Sequence, residues 1–243
     1  MLRLCSCVLV AAALSGCGLI SSDVTNFNLD LPDKTFSVDT ARWNVSQQAA
    51  DTYLMTTCNP SQPPPSVCST AAANACAMGC SGSCAPDNHC ELTLQVSAHQ
   101  GVDLLNEKPE LKTINDEPVI KVTIDSVQYA VTANTLSIAT PEMKIYVAPM
   151  AVMDPDDPMA KQVGMVGPVQ PGDTVTLRDI TFTDGSDSPD DEARGRQNLI
   201  DVMSNYKNPF NVLVGSKLVV QMGDTVPSGK LDALIHIKPH AGI

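Results

Sequence analysis

The stretch Ile120-Lys-Val-Thr-Ile-Asp-Ser-Val-Gln-Tyr-Ala-Val131 carries two apolar series in opposite phase. Ile120, Val122 and Ile124 alternate with polar neighbours, and Val127, Tyr129 and Val131 then resume one residue out of step. Alternation with a period of two describes a strand with one face on a core and the other toward water. A slip of one residue turns every later side chain to the opposite face, so the slip marks a β-bulge. Val175 and Leu177 followed by Ile180 and Phe182 repeat the pattern and predict a second bulge.

Working outward, the same alternation recurs along the chain. Phe27, Leu29 and Leu31 open it, and Phe36 and Val38 continue it. Leu92, Leu94, Val96 and Ala98 form one run, Met143, Ile145 and Val147 another, and Leu231, Ala233, Ile235 and Ile237 the last. Val212 to Val220 is apolar on both phases, which predicts a central strand covered on both sides. A single helix is signalled near 189–207. Ser188 is placed to cap it, Pro189 fits its first position, Asp191 stands where a capping box needs an acceptor, and Leu199, Ile200, Met203 and Tyr206 recur at helical spacing. Short strands between turn residues, with one helix, predict a mainly β protein: one antiparallel, Ig-like β-sandwich over residues 27–243.

The first residues read differently. Arg3 precedes an uncharged apolar run from Leu4 to Leu14, too short to span a bilayer, and Leu14-Ser15-Gly16-Cys17 follows. This ending resembles the lipobox of bacterial lipoproteins. The resemblance implies a signal peptide over 1–16, cleavage before Cys17, diacylglycerol on its sulfur and a lipidated tether over 17–26. Gly18, rather than an aspartate, follows the cysteine, which by the family's sorting rule implies the outer membrane. Two or more acyl chains hold a protein firmly where one does not. The expected location is therefore the outer membrane, with the body facing the periplasm and Cys17 as the membrane contact.

Nine cysteines are present. Cys5 and Cys7 leave with the signal segment and Cys17 takes lipid. The remaining six, Cys58, Cys68, Cys76, Cys80, Cys84 and Cys90, sit in one Pro-, Ala- and Ser-rich stretch, including Pro63, Pro64 and Pro65, with an Ala-rich run from Ser69 to Ala77 that suits a short helix. An even number in an exported chain predicts three disulfides whose pairing the spacing leaves open. Residues 58–90 thus read as a stapled insertion outside the main core. A metal site is the competing reading, because Cys76, Cys80 and Cys84 are four apart and would share one helix face. Gly79, Gly82 and Pro86 oppose a helix there, and no CxxC pair is present. His89 then reads as an exposed loop residue.

Composition narrows function by exclusion. The net charge is −12, from 15 basic and 27 acidic residues, which disfavours nucleic-acid partners. Asp154-Pro-Asp-Asp-Pro and Asp184-Gly-Ser-Asp-Ser-Pro-Asp-Asp-Glu offer oxygens of the kind calcium takes. They lack EF-hand spacing and read as solvated turns and a helix start. The four histidines, His89, His99, His236 and His240, form no paired metal motif, and His236 is expected to face solvent beside Asp232 and Lys238. No nucleophile elbow or phosphate loop occurs. Met143, Met150, Met153, Met159 and Met165 read as core filler or as the lining of an adaptable groove. Pro171-Gly-Asp-Thr-Val, Asn208-Pro-Phe and Pro227-Ser-Gly loosely resemble late-embryogenesis-abundant type 2 sandwich domains over roughly residues 110–240, which implies a structural or binding role. The expectation is a non-enzymatic envelope lipoprotein without cofactor or metal, whose partner-binding surface lies on residues 58–90. A carrier of apolar ligands and an exported hydrolase are the alternatives.

Overall fold

A computed structural model of the chain describes residues 27–29, 31–61, 66–76, 78–114 and 121–242. The expected signal segment 1–16, the tether 17–26 with Cys17, and Pro63, Pro64, Pro65, Ala77 and Ile120 lie outside them.

In chain order the elements are β1 (Phe27–Asn28), β2 (Lys34–Asp39), α1 (Gln47–Leu54), α2 (Val67–Ala75), β3 (Cys80–Cys84), β4 (Cys90–Val102) and α3 (Leu104–Glu107). There follow β5 (Lys121–Asn134), β6 (Met143–Pro149), β7 (Lys161–Val166), β8 (Val175–Asp179), β9 (Thr181–Phe182), α4 (Asp191–Ser204), β10 (Phe210–Val220) and β11 (Lys230–Gly242). In one sheet β11 pairs with β1, β2 and β5, and β5 pairs with β8; the other runs β3-β4-β10-β6-β7-β9. Every strand pairing among the described residues is antiparallel. The two sheets pack face to face as the expected β-sandwich.

The two phase slips have different physical outcomes. On β5 the slip is a bulge: Ile124 pairs with Pro239 and Ser126 with Lys238, so Asp125 is the extra residue. It lets both Ile124 and Val127 point into the core. The second slip is a change of sheet, not a bulge. β8 pairs with β5 in the first sheet and β9 with β7 in the second. Between them Ile180 is buried, and its N–H donates to the Val127 carbonyl at 3.0 Å. Leu177, expected to face inward, is exposed because β8 is a short strand at the sheet edge.

β10 is central, between β4 and β6, as its two-phase apolar run predicts. Val212 and Val214 face the main core. Leu213 points outward but is covered, packing with Ala148 and Val152. The buried Asn211 amide holds the β6–β7 connection down by donating to the carbonyls of Met150 (3.0 Å) and Val152 (2.8 Å).

The helix near 189–207 is present, with Leu199, Met203 and Tyr206 buried and Ile200 half-buried, but it starts later than its capping signals imply. Asp190 is the flanking residue and makes no side-chain cap. The polar groups of this segment are engaged in a turn ahead of the helix. Thr183 donates to Asp191 Oδ2 at 3.0 Å, and Arg194 reaches Asp184 and Ser186. Hydrogen bonds from Arg194 and Ser186 hold the Asp184 carboxyl down at about 2, below its ordinary 3.8. The stability this contact lends is therefore present above pH 3.8 and is lost as pH falls through about 2. Among the described residues three further α-helices, α1, α2 and α3, accompany α4.

Gly195 sits mid-helix on α4, where a β-carbon would lie 2.6 Å from the Val163 carbonyl oxygen and 2.7 Å from Thr183 backbone. Its bareness lets the helix lie directly on β7. Alanine at that site gains about 1 kcal/mol of helix propensity but pushes against backbone that cannot step aside. Gly195→Ala should lower stability by roughly 1–3 kcal/mol through overpacking, measured by urea unfolding. An unchanged or higher midpoint would mean that the helix–strand contact is looser than described.

Candidate functional site

Two serines start the helices at the end of the sandwich where β4 begins. Ser46 Oγ accepts from Ala49 N (3.1 Å) and Ser66 Oγ from Ser69 N (3.2 Å), each satisfying an orphan donor of a first turn. The Ser66 cap sets α2 at Val67–Ala75, two residues earlier than the Ala-rich run suggests. α1 turns Ala50, Tyr53 and Leu54 inward, and α2 turns Cys68, Ala72 and Ala75 inward.

The chain then makes the β3–β4 hairpin. Asn88, in the left-handed conformation at φ 66°, closes its turn by donating to the Ala85 carbonyl. Cys84 and Cys90 stand opposite each other across this hairpin but are not joined. The bridges run outward instead: Cys58–Cys84 with Cα atoms 5.9 Å apart, and Cys68–Cys90 at 5.4 Å. Cys76–Cys80, at 6.5 Å, ties the end of α2 to the start of β3. Residues 56–58 lie along 88–90, with Cys58 N donating to Asn88 O and Cys90 N to Thr56 O.

The six cysteines are thus three disulfides, as expected, but the expectation that they sit outside the core is corrected. Cys68 and Cys90 are buried among Trp43, Tyr53, Leu54, Leu92, Leu94, Val96 and Val220, a second hydrophobic core. Trp43 Nε1 donates to the Gln95 carbonyl at 3.0 Å, and Tyr53 Oη donates to the Glu91 carbonyl at 3.0 Å. Burial, reinforced by the Glu91 carboxylate, pushes the Tyr53 phenol up to about 12. A side chain at Gly82 would meet Tyr53 Oη and stand 2.5 Å from the Cys68 carbonyl oxygen, so glycine is what lets α2 close on β3.

The thiol metal reading loses its geometry. Cys76 follows α2 and Cys80 and Cys84 lie on β3, so the three do not share a helix face. Cys58, Cys68 and Cys90 do bring their sulfurs within 4.8 Å of one another. Each is consumed in a disulfide and offers no thiolate. His89 is half-buried, bridged to Thr57 in the backbone, and not the exposed loop residue expected. The acidic runs are largely self-satisfied: Asp154 accepts from Asp156 N, Asp157 from Met159 N, and Asp156 pairs with Lys217 at 2.8 Å. His236 is only partly exposed and pairs with Asp33 at 2.6 Å, and His240 pairs with Asp125.

Between the sheets, the cavity lined by Met143, Val166, Val214 and Ile235 measures about 30 Å³, and a neighbouring one lined by Val38, Leu136 and Leu218 about 30 Å³. Each has room for about one water, where a lipid-sized ligand takes a pocket of roughly 300–1,000 Å³. No helix among the described residues is long and apolar enough to cross a membrane. Comparison with known proteins finds no matching family and no similar curated protein.

Peptide mapping without reduction should return the pairs 58–84, 68–90 and 76–80. Replacing Cys68 and Cys90 together with alanine should cost about 2–5 kcal/mol. It should also shift the emission of Trp43, the one tryptophan of the chain, because that ring packs in the same core. Removing Cys76–Cys80, which closes a far shorter loop, should cost less. Unchanged Trp43 emission in the first variant would show that the bridge and the second core are uncoupled.

Proposed function

We propose that the chain is a lipid-anchored envelope lipoprotein of the outer membrane that catalyses no reaction and presents the stapled end of its sandwich to a protein partner. The address rests on the apolar run ending in Leu14-Ser15-Gly16-Cys17. The binding role rests on one observation: the backbone of this end is fixed by three disulfides, yet it holds large apolar side chains out to solvent. Met55 flanks α1, Val67 opens α2, Met78 precedes β3, and Val219 and Met222 lie at the end of β10; all five are exposed, Met78 at 68%. Rigid scaffolds with projecting apolar groups suit recognition, because little side-chain order is lost on binding beyond the anchors themselves. Calcium in the acidic runs and a carrier role draw no comparable support.

The address is tested by Cys17→Ser. This variant should lose labelling by radioactive palmitate and leave the membrane fraction, and equal labelling of variant and wild type would refute the anchor. The binding surface is tested separately with Met55→Glu, Val67→Glu and Met78→Glu combined, in the anchored protein. In-cell crosslinking should lose its adducts while Trp43 emission stays as in wild type. Persistence of the same adducts would move recognition away from this end.

A further inference from the structure

Leu213, Gly215 and Lys217 alternate on the outer face of β10. Gln95 of β4 lies directly opposite Lys217, and Lys144 of β6 directly opposite Gly215. The β6–β7 connection crosses this face and is pinned to it by Ser97, whose Oγ donates to the Met153 carbonyl at 3.4 Å. A β-carbon at Gly215 would lie 2.6 Å from Pro155 Cβ and Cγ and 3.6 Å from Tyr146 Cε2. Because the glycine is bare, Pro155 is buried against the strand and the connection stands there as a wall. Beside this wall is a cleft of about 340 Å³, bordered by Gln95, Glu142, Lys144, Tyr146, Asp156 and Lys217. Its size is that of a small-molecule site, roughly 300–1,000 Å³, which the cavities between the sheets do not reach.

The polar groups of the cleft converge on one carboxylate. Asp156 pairs with Lys217 Nζ at 2.8 Å and accepts from Gln95 Nε2 at 3.3 Å. It also lies close enough to Tyr146 to act on its phenol: burial first, and the Asp156 charge second, push that group up and keep it a neutral hydroxyl. The charges cancel, Asp156 and Glu142 against Lys217 and Lys144, although the whole chain carries −12. A cleft so balanced favours neither an anion nor a cation. What it offers is hydrogen-bonding capacity on groups held in place. The Tyr146 hydroxyl and Lys144 have no side-chain hydrogen bond or ion pair among the described residues. Lys217 has three N–H donors and directs one of them at Asp156.

We propose that this cleft binds a neutral saccharide, a mono- or disaccharide unit, through hydrogen bonds to Tyr146, Lys217, Gln95 and Asp156. Sugar hydroxyls both donate and accept, so they suit an ammonium, a carboxylate, an amide and a phenol side by side. They bring no charge into a lining whose charges are already matched. An apolar ligand would instead leave these groups desolvated and unpaired. Binding at this cleft needs neither the lipid anchor nor a partner at the stapled end.

The test titrates the disulfide-intact, ¹⁵N-labelled chain with maltose, cellobiose and N,N′-diacetylchitobiose. Parallel titrations use the zwitterionic dipeptide alanylalanine and inorganic phosphate. At least one sugar should shift the amide signals of Gln95, Tyr146, Gly215 and Lys217 saturably, and neither the dipeptide nor phosphate should. Lys217→Met with Tyr146→Phe removes two donors and keeps the apolar bulk. It should weaken binding of that sugar by at least about tenfold, the scale of one lost hydrogen bond to a charged group, with the urea midpoint unchanged. If the double variant is less stable, Tyr146→Phe alone, which leaves the ring in place, should still weaken binding. Absence of saturable shifts with all three sugars, equal shifts with the dipeptide or phosphate, shifts centred away from the cleft, or variants that bind like wild type would each overturn the site.

Discussion

The ladder between β4 and β10 runs the whole length of β10, from Phe210 opposite Val102 to Val220 opposite Leu92, and both main hydrophobic clusters hang from it. At one end Val102 and Phe210 face the core shared with the other sheet. At the other end Leu92, Leu94 and Val220 face the stapled core. Because the two strands are hydrogen-bonded throughout, neither core can shift its register without turning the other's side chains to the wrong face. Cys90 opens β4 and is bonded to Cys68, so the disulfide of the small core is fixed to the strand that organises the large one.

Most of the sandwich was legible because a half-buried strand repeats every two residues. β4, β5, β6 and β11 carry their apolar residues as the alternation predicts, whereas β10, expected to be covered on both sides over Val212–Val220, is so only up to Gly215 and leaves Val219 exposed. The slip at Asp125 and the one at Ile180 look identical in sequence, since a bulge and a change of sheet both reverse the inward phase; only the identity of the paired strand separates them. The start of α4 was misplaced for a related reason. Ser188, Pro189 and Asp191 are sound local signals, but Thr183 engages Asp191 from outside the helix, and Arg194, within its first turns, holds Asp184 and Ser186 in the turn before it.

The candidate site was half legible. Six cysteines in one stretch announced disulfides, while their pairing depends on Thr56–Cys58 lying beside Asn88–Cys90, a contact between segments some thirty residues apart. α1 was overlooked although Ser46 and the inward Ala50, Tyr53 and Leu54 carry an N-cap and a helical spacing. Its eight residues are too few for a periodicity argument to stand on, and its apolar face has meaning only against β4. Trp43 and Gly82 were silent for the same reason, since what they touch is remote in sequence.

The pairing of β1 with the end of β11 gives the body a polarity. Phe27 lies opposite Ala241 and Leu29 N donates to Pro239 O, so the chain enters the sandwich at the end where β11 leaves it. β11 runs from there to Lys230 opposite Asp39, just before Trp43 and the stapled core. Thirteen residues of strand span about 40 Å. A molecule held by its amino terminus would therefore stand with its cross-linked tip at the far end, lifted by the height of the sandwich above whatever surface holds it.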